Sequence, residues 1–228
     1  HEQGRLKVKG DFEGFRVGAS GYVVSGPAER LRAMSDHSLE TLPGGRQAPV
    51  GMSLAELLDH SSAHLDKLVK KTPLVVVHSS EIDGAGEHDL GPATFDIWLG
   101  QLLSGIKRLH KAGVQEFVVV SDHGFIFLDE TQPSLKLRAS DRRYHFSQVP
   151  ISDEDMASVS SSSLCLEGGP EYLVFPRGNA TFQGAGRSAR SYDHGGSTLQ
   201  ERTIPVLEVS YRTVLSQKDP VSYKIETR

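Results

Sequence analysis

The sequence predicts an α/β protein with a mostly parallel central sheet. Two short apolar runs, PLVVVH at 73–78 and EFVVV at 116–120, have the length and β-branched composition of buried strands. Between them, apolar residues recur at helical spacing from about Pro92 to Ala112. A strand, a helix and a second strand over about 45 residues form a βαβ unit, so we expect parallel neighbouring strands with a right-handed crossover.

The composition is that of a globular protein. The 228 residues, 37% hydrophobic and 24% charged, are enough for one large α/β domain or two small ones. A net charge of −4 gives no overall attraction to nucleic acid. No apolar run approaches the roughly 18 to 20 residues of a membrane span. The single cysteine, Cys165, excludes an intramolecular disulfide and fits a reducing, cytoplasmic location.

The chain divides into a β-rich cap or insertion segment, residues 1–51, and a main part, residues 52–228. Alternating residues and glycines over 5–24 predict two or three short strands, and a short helix is expected at 28–33. The charged and serine-rich residues 129–170 predict an insertion with a mobile loop. Because the first residue is histidine and not methionine, we expect a piece of a longer protein.

A second helix is predicted to begin at Ser53. Glu56 stands three residues later, the spacing of a capping box, and Ser197 and Gln200 show the same spacing before the last predicted helix. The apolar residues after Ser53 fall on one helical face, namely Leu54, Leu57, Leu58, Leu65, Leu68 and Val69.

Acidic and histidine residues follow two strands and recur in a third loop. Asp83 and Glu87 follow the first strand, Asp122 and His123 follow the second, and His194 stands in DHGGS. Ligands bind beyond the carboxyl ends of strands in an open parallel sheet, so we expect these groups to converge. Each also has a structural alternative: an Asx-turn, a surface charge, a turn after the strand, or a loop histidine bonded to backbone.

The expected ligand set contains carboxylate oxygens and imidazole nitrogens but no thiolate. Such a set suits Zn²⁺ or Mn²⁺, and its imidazoles argue against Ca²⁺ or Mg²⁺ alone. The glycines of these loops, Gly124, Gly195 and Gly196, are expected to permit tight turns and close backbone approach.

The remaining candidates have simpler explanations. His60 and His64 are four residues apart, a spacing that can chelate a metal, but a solvated helix flank is the expected role. His78 is predicted to be a core histidine. Arg142 and Arg143 could meet a phosphate, although exposed salt bridges are the simpler expectation.

The order of motifs resembles the carboxyl-terminal part of a PglZ domain, over roughly residues 70–210. The matching pieces are DGAGE, a long helix, VVVSDHGF, FPRG and HGGSTLQERTIPV. That family belongs to the alkaline phosphatase superfamily and serves in BREX-type phage resistance. The resemblance implies an α/β/α sandwich with two divalent metal ions, commonly zinc, with Mn²⁺ and Mg²⁺ as alternatives, that hydrolyses or transfers phosphate esters.

The resemblance also implies a role for each candidate ligand. Asp122 and His123 match the Asp-His pair of one metal, and Asp83 and His194 match ligands of the other. In the superfamily, a histidine stands four residues after the aspartate that Asp83 matches. Here that position is Glu87, which we expect to ligate in place of the neighbouring histidine.

The nucleophile implied by the resemblance, a serine or threonine, is expected outside this chain. The intact protein is then predicted to be a phosphatase or phosphodiesterase of bacterial anti-phage defence, with other proteins of a defence complex as partners. A phosphate ester or a nucleic acid would be its substrate. The alternative is a non-catalytic scaffold module of such a complex, and a phosphomutase-like or sulfatase-like relative is a third reading.

Overall fold

The structure is a computed structural model that describes residues 3–7, 12–16, 23–41, 49–88, 90–91, 93–128, 134–135, 143–182 and 192–211. Its strands are β1 Gln3–Leu6, β2 Phe12–Arg16, β3 Val23–Val24, β4 Val50–Ser53, β5 Val75–His78, β6 Glu116–Val120, β7 Ile126–Phe127, β8 Ser134–Leu135, β9 His145–Ser147, β10 Met156–Ser160, β11 Leu166–Glu167, β12 Tyr172–Pro176, β13 Thr181–Phe182, β14 Tyr192–Asp193 and β15 Val206–Ser210. Its α-helices are α1 Pro27–Thr41, α2 Leu54–Asp59, α3 Ser62–Lys71, α4 Glu81–Glu87, α5 Ala93–Lys111 and α6 Leu199–Arg202. None of these helices is long and apolar enough to cross a membrane.

The helix predicted after Ser53 is in fact two helices, α2 and α3. The Ser53 Oγ accepts a hydrogen bond from the Glu56 N–H at 3.2 Å, and the Ser53 N–H donates to Glu56 Oε2 at 2.7 Å. The predicted capping box is therefore confirmed. The chain becomes extended at His60 and Ser61, and the Ser61 Oγ accepts a bond from the His64 N–H at 3.3 Å to start α3.

The main hydrophobic core lies between α2, α3, α5 and the strands β4 and β5. Its buried members are Met52, Leu54, Leu57, Leu65 and Leu109. Partly buried side chains that pack against them include Leu58, Leu68, Val69, Val75, Val77 and Phe117. The apolar face predicted for residues 54–69 is therefore confirmed, since every member of it belongs to this core. Full burial of one such side chain contributes roughly 1.5 to 3 kcal/mol.

The strands on either side of α5 have different partners from those expected. β4 pairs with β5 in parallel, with Val50 opposite Val75. β6 pairs with β15 in an antiparallel ladder, with Val120 opposite Val206. Within the described residues no ladder joins β5 to β6, so the expected parallel neighbours and mostly parallel central sheet are not seen. The apolar pattern predicts which residues form a strand. It does not predict the neighbouring strand, because that depends on hydrogen bonds with distant parts of the chain.

The amino-terminal segment contributes a four-stranded sheet in the order β11, β1, β2, β3. Short strands were predicted in this segment, and β1, β2 and β3 pair antiparallel in order. β11 pairs with β1 in parallel, so part of the predicted insertion 129–170 completes this sheet. The helix expected at 28–33 extends over Pro27–Thr41. Residues 129–133 and 136–142 of the insertion lie outside the described residues, and the boundary at residue 51 stays a prediction.

Candidate metal centre

Three segments carry the predicted ligands. Asp83 lies in the first turn of α4, so the residues after β5 are helical rather than a polar loop. Asp122 and His123 follow the last residue of β6 directly. His194 follows β14 and precedes α6. His123 and His194 therefore follow strand ends, in agreement with the expectation, whereas Asp83 is supplied by the helix that follows β5.

Asp83, His123 and His194 come together in space. Each offers one ligand atom, the three atoms lie within 4.8 Å of one another, and all three residues are partly buried. The His194 Nε2 is 3.5 Å from Asp83 Oδ1. The imidazoles of His123 and His194 stack, with ring centres 4.3 Å apart and planes inclined by 13°. The structure thus gathers three predicted ligands from three segments distant in sequence.

The two other predicted ligands, Asp122 and Glu87, lie outside this group. The Asp122 side chain is 91% exposed, and its Oδ1 accepts a hydrogen bond from the His123 N–H at 3.1 Å. Glu87 is the exposed last residue of α4. The adjacent His88 is also exposed, and its Nδ1 lies 2.7 Å from the Gly84 carbonyl oxygen. Metal binding by Asp122 and Glu87 stays a prediction.

Tyr192 is a further site residue, one that the sequence pattern did not single out. Its hydroxyl donates to Asp83 Oδ1 at 2.9 Å, and the residue is only 3% exposed. Burial raises the pKa of Tyr192, and the hydrogen bond and negative charge of Asp83 raise it further. The phenol therefore stays protonated and orients the carboxylate. Its position two residues before His194, in a stretch of small and polar residues, is the signal in the sequence.

Two glycines meet the conformational demands of the site. A Cβ on Gly124 would lie 1.9 Å from the carbonyl oxygen of Gln200, and the Gly124 N–H donates to the Glu201 carbonyl oxygen at 2.9 Å. Gly195 has a φ of +91°, a conformation that favours glycine. These positions bear out the expectation of close backbone approach at Gly124 and of a tight turn after His194.

The structure corrects two expectations near α6. The residues that cap this helix are Thr198 and Glu201, one position later than the predicted Ser197 and Gln200. Arg143 is not an exposed salt-bridging residue: it is 0% exposed and binds the Glu201 carboxylate through two nitrogens. A buried guanidinium is tolerated because a carboxylate and backbone carbonyls satisfy its donors. The neighbouring arginine, residue 142, lies outside the described residues.

The remaining histidine predictions have mixed outcomes. His78, predicted in the core, is exposed because it ends β5 at the edge of the core. His60 and His64 stack with ring centres 4.2 Å apart across the junction of α2 and α3. No cluster of three potential ligands in the described part of the chain includes either of them. A metal role for this pair is therefore not supported.

Sequence comparison identifies the family to which the chain belongs. Residues 16–209 match the profile of the BREX system PglZ alkaline phosphatase-like domain. The chain belongs to this PglZ family. It is 28% identical over 165 residues to the alkaline phosphatase-like protein PglZ of Bacillus cereus (strain H3081.97), an alignment that covers 67% of this chain and 19% of the relative. The chain thus spans about a fifth of the length of that curated relative. No solved structure matches it.

Proposed function

We propose that the chain is the metal-binding part of a phosphoesterase-like domain that acts in bacterial anti-phage defence. The observation that carries the proposal is the convergence of Asp83, His123 and His194, whose ligand atoms lie within 4.8 Å of one another. Membership of the PglZ family supports the phosphoesterase-like class. The substrate class is a phosphate ester, which includes nucleic acid phosphodiesters.

The donor atoms fit a divalent cation of the zinc type. Ligand atoms that are about 2.1 Å from a tetrahedral zinc ion lie about 3.4 Å from each other. The 3.5 Å between His194 Nε2 and Asp83 Oδ1 is close to that spacing. The His123 Nδ1 lies 3.1 Å from the Gly124 carbonyl oxygen, a hydrogen bond that would leave Nε2 as the ligand atom. Such ions polarise a phosphoryl oxygen and lower the pKa of bound water.

Two metal ions are proposed, each with ligands from different segments. Asp122 and His123 would hold one ion, and Asp83, Glu87 and His194 would hold the other. The stacked imidazoles, with centres 4.3 Å apart, suit neighbouring ions, which lie about 3.5 to 4 Å apart in two-metal sites. The Asp122 Oδ1 lies 3.8 Å from His123 Nε2, the nitrogen that would bind the same ion.

The nucleophile is proposed to come from a part of the protein outside these 228 residues. The much greater length of the curated relative supports this proposal. An exposed apolar face on the β6–β15 pair supports it too, with Val118, Val120 and Val206 between 58% and 67% exposed. Apolar patches of this kind are typical of surfaces that contact other protein.

The decisive experiment measures hydrolysis of a generic aryl phosphodiester by the intact protein. We expect Asp122→Ala to abolish turnover, because one metal would lose its carboxylate ligand. The control is Asp59→Ala, which removes an exposed carboxylate at the end of α2 and should leave the rate unchanged. A wild-type rate in the Asp122 variant would overturn the assignment.

A scaffold role is the second candidate. The 91% exposure of the Asp122 side chain, outside the group of three ligands, favours it. A scaffold has no need of a filled site, so the metal content of the intact protein separates the two functions. Two equivalents of metal per chain would support the phosphoesterase, and metal-free protein that still joins its defence complex would support the scaffold.

A further inference from the structure

Glu201 contacts both histidine-bearing loops of the candidate metal centre. Its backbone carbonyl oxygen accepts a hydrogen bond from Gly124, the residue after His123, at 2.9 Å. Its side-chain Oε1 accepts a bond from the Gly196 N–H, two residues after His194, at 2.8 Å. One residue therefore joins the loop that follows β6 to the loop that follows β14.

The Glu201 carboxylate is itself held by donors from Arg143 and Thr198. Arg143 donates from Nε to Oε1 at 2.9 Å and from Nη2 to Oε2 at 2.8 Å. Thr198 donates to Oε2 from its hydroxyl at 2.7 Å and from its N–H at 3.2 Å. The guanidinium is held in turn by the carbonyl oxygens of Gly178, at 3.0 Å, and of Ala180. Both charged side chains are almost fully buried, at 0% and 1% exposure.

Helix capping alone does not explain this arrangement. The Glu201 carboxylate completes a capping box with Thr198, but α6 has only four residues. A capping glutamate needs no buried cation, as the box of Ser53 and Glu56 shows, where Glu56 is exposed. A buried ion pair also gives little net stability compared with apolar residues, so the pair is better explained by the geometry that it imposes.

We infer that Glu201, held by Arg143, is a positioning residue that sets the separation of His123 and His194 for metal binding. The inference rests on the proposed metal site. Loops are mobile unless their backbone groups are tied, and ligands gain affinity when partners beyond the metal hold them in place. The β7–β14 ladder pairs Ile126 with Asp193 and brings the two segments side by side. The Gly124 and Gly196 bonds then tie both loops to Glu201. The bound species would be a divalent cation of the zinc type.

The test titrates Co²⁺ into the intact protein and records both its affinity and the visible absorption of the bound ion, which reports ligand geometry. Glu201→Gln weakens the side-chain contacts with Gly196 and Arg143 but keeps the backbone bond to Gly124. We therefore expect an affinity lower by about 10-fold, the lower end of the effect of losing a partner beyond the metal ligands, and a changed spectrum. The matched control is Glu56→Gln, the same change in the other capping box, which should leave both unchanged.

Further variants separate the possible failures. His194→Ala should abolish the wild-type spectrum, whereas His64→Ala, at an exposed histidine, should not. Loss of binding in His194→Ala with wild-type behaviour in Glu201→Gln would overturn the positioning role and leave the metal site standing. Wild-type protein that binds no Co²⁺ would overturn both. If Glu201→Gln does not fold, the Arg143→Lys variant is used in its place, because lysine keeps the positive charge but cannot contact the carboxylate through two nitrogens. An unchanged affinity and an unchanged spectrum in this variant would also refute the inference.

Discussion

Among single residues, Asp83 shows how a ligand depends on side chains that offer no ligand atom. The same oxygen, Oδ1, accepts the Tyr192 hydroxyl bond and lies 3.5 Å from His194 Nε2. The tyrosine ring occupies the space over Gly86, where a Cβ would come within 2.6 Å of ring atoms. A small residue and a buried phenol therefore fix the direction of the carboxylate.

Replacing Tyr192 with phenylalanine tests this dependence. The variant keeps the ring packing but loses the hydrogen bond to Asp83, so we expect a metal affinity about 10- to 100-fold lower. The cost in stability should be small, about 0.5 to 1.5 kcal/mol. Competition with a chelator measures the affinity. Tyr211→Phe serves as control, because Tyr211 contacts the rings of His110 and Phe117 and not the site; equal affinities in the two variants would contradict the role of Tyr192.

For whole elements, local signals predicted helices better than strand partners. Ser53 and Glu56 cap α2 as their spacing indicated, and α5 ends before Gly113, whose φ is +114°. The partner of β6 could not be predicted in this way, because its ladder with β15 joins residues about 90 positions apart. At α6 two capping patterns are offset by one residue, and the one that ends in Glu201 is formed, where the buried Arg143, distant in sequence, binds the carboxylate.

Gly124 tests the contact between the loop after β6 and α6. Gly124→Ala would place a Cβ against the Gln200 carbonyl oxygen, 1.9 Å away, so the backbone must move and the bond to Glu201 must weaken. We expect a loss of about 1 to 3 kcal/mol, typical of overpacking, together with weaker metal binding. Gly100→Ala, in open space on α5, should instead stabilise by up to about 1 kcal/mol. Urea unfolding measures both, and a Gly124 variant as stable as wild type would refute the contact.

Across the whole molecule, the candidate centre joins three segments, two of which are connected by the short β7–β14 ladder, with Ile126 opposite Asp193. The expectation that these groups converge was correct for Asp83, His123 and His194, although Asp83 lies in α4 and the ladder expected between β5 and β6 is not seen in the described residues. The loops are brought together by the β7–β14 ladder and by contacts outside the sheets. The ion pair between Arg143 and Glu201 is one of them, and it links the residues before β9 to α6. No sequence spacing predicts a contact of this kind, because its partners are 58 positions apart.

The same ion pair should make the stability of the molecule depend on pH. Burial alone would raise the pKa of Glu201, but hydrogen bonds from Arg143 and Thr198 outweigh it and hold the pKa below the ordinary value of 4.5. The unfolded chain therefore binds the proton more readily than the native protein does. The stability due to this carboxylate is present above about pH 4.5 and is lost as the pH falls through the lowered native pKa.

The free energy of urea unfolding between pH 7 and pH 3 tests this dependence. At pH 7, Glu201→Gln should cost about 3 to 5 kcal/mol, because it leaves the Arg143 cation buried without its counter-charge. As the pH falls, the wild-type protein should lose stability more steeply than the variant, so the two curves approach each other. Hydrogen bonds from Ser53 also lower the pKa of Glu56, but that group is exposed, and Glu56→Gln should change the pH dependence much less. A Glu201 variant that retained the full wild-type slope would show that the acid sensitivity arises elsewhere, since protonation of Glu201 is the step that removes the counter-charge of Arg143.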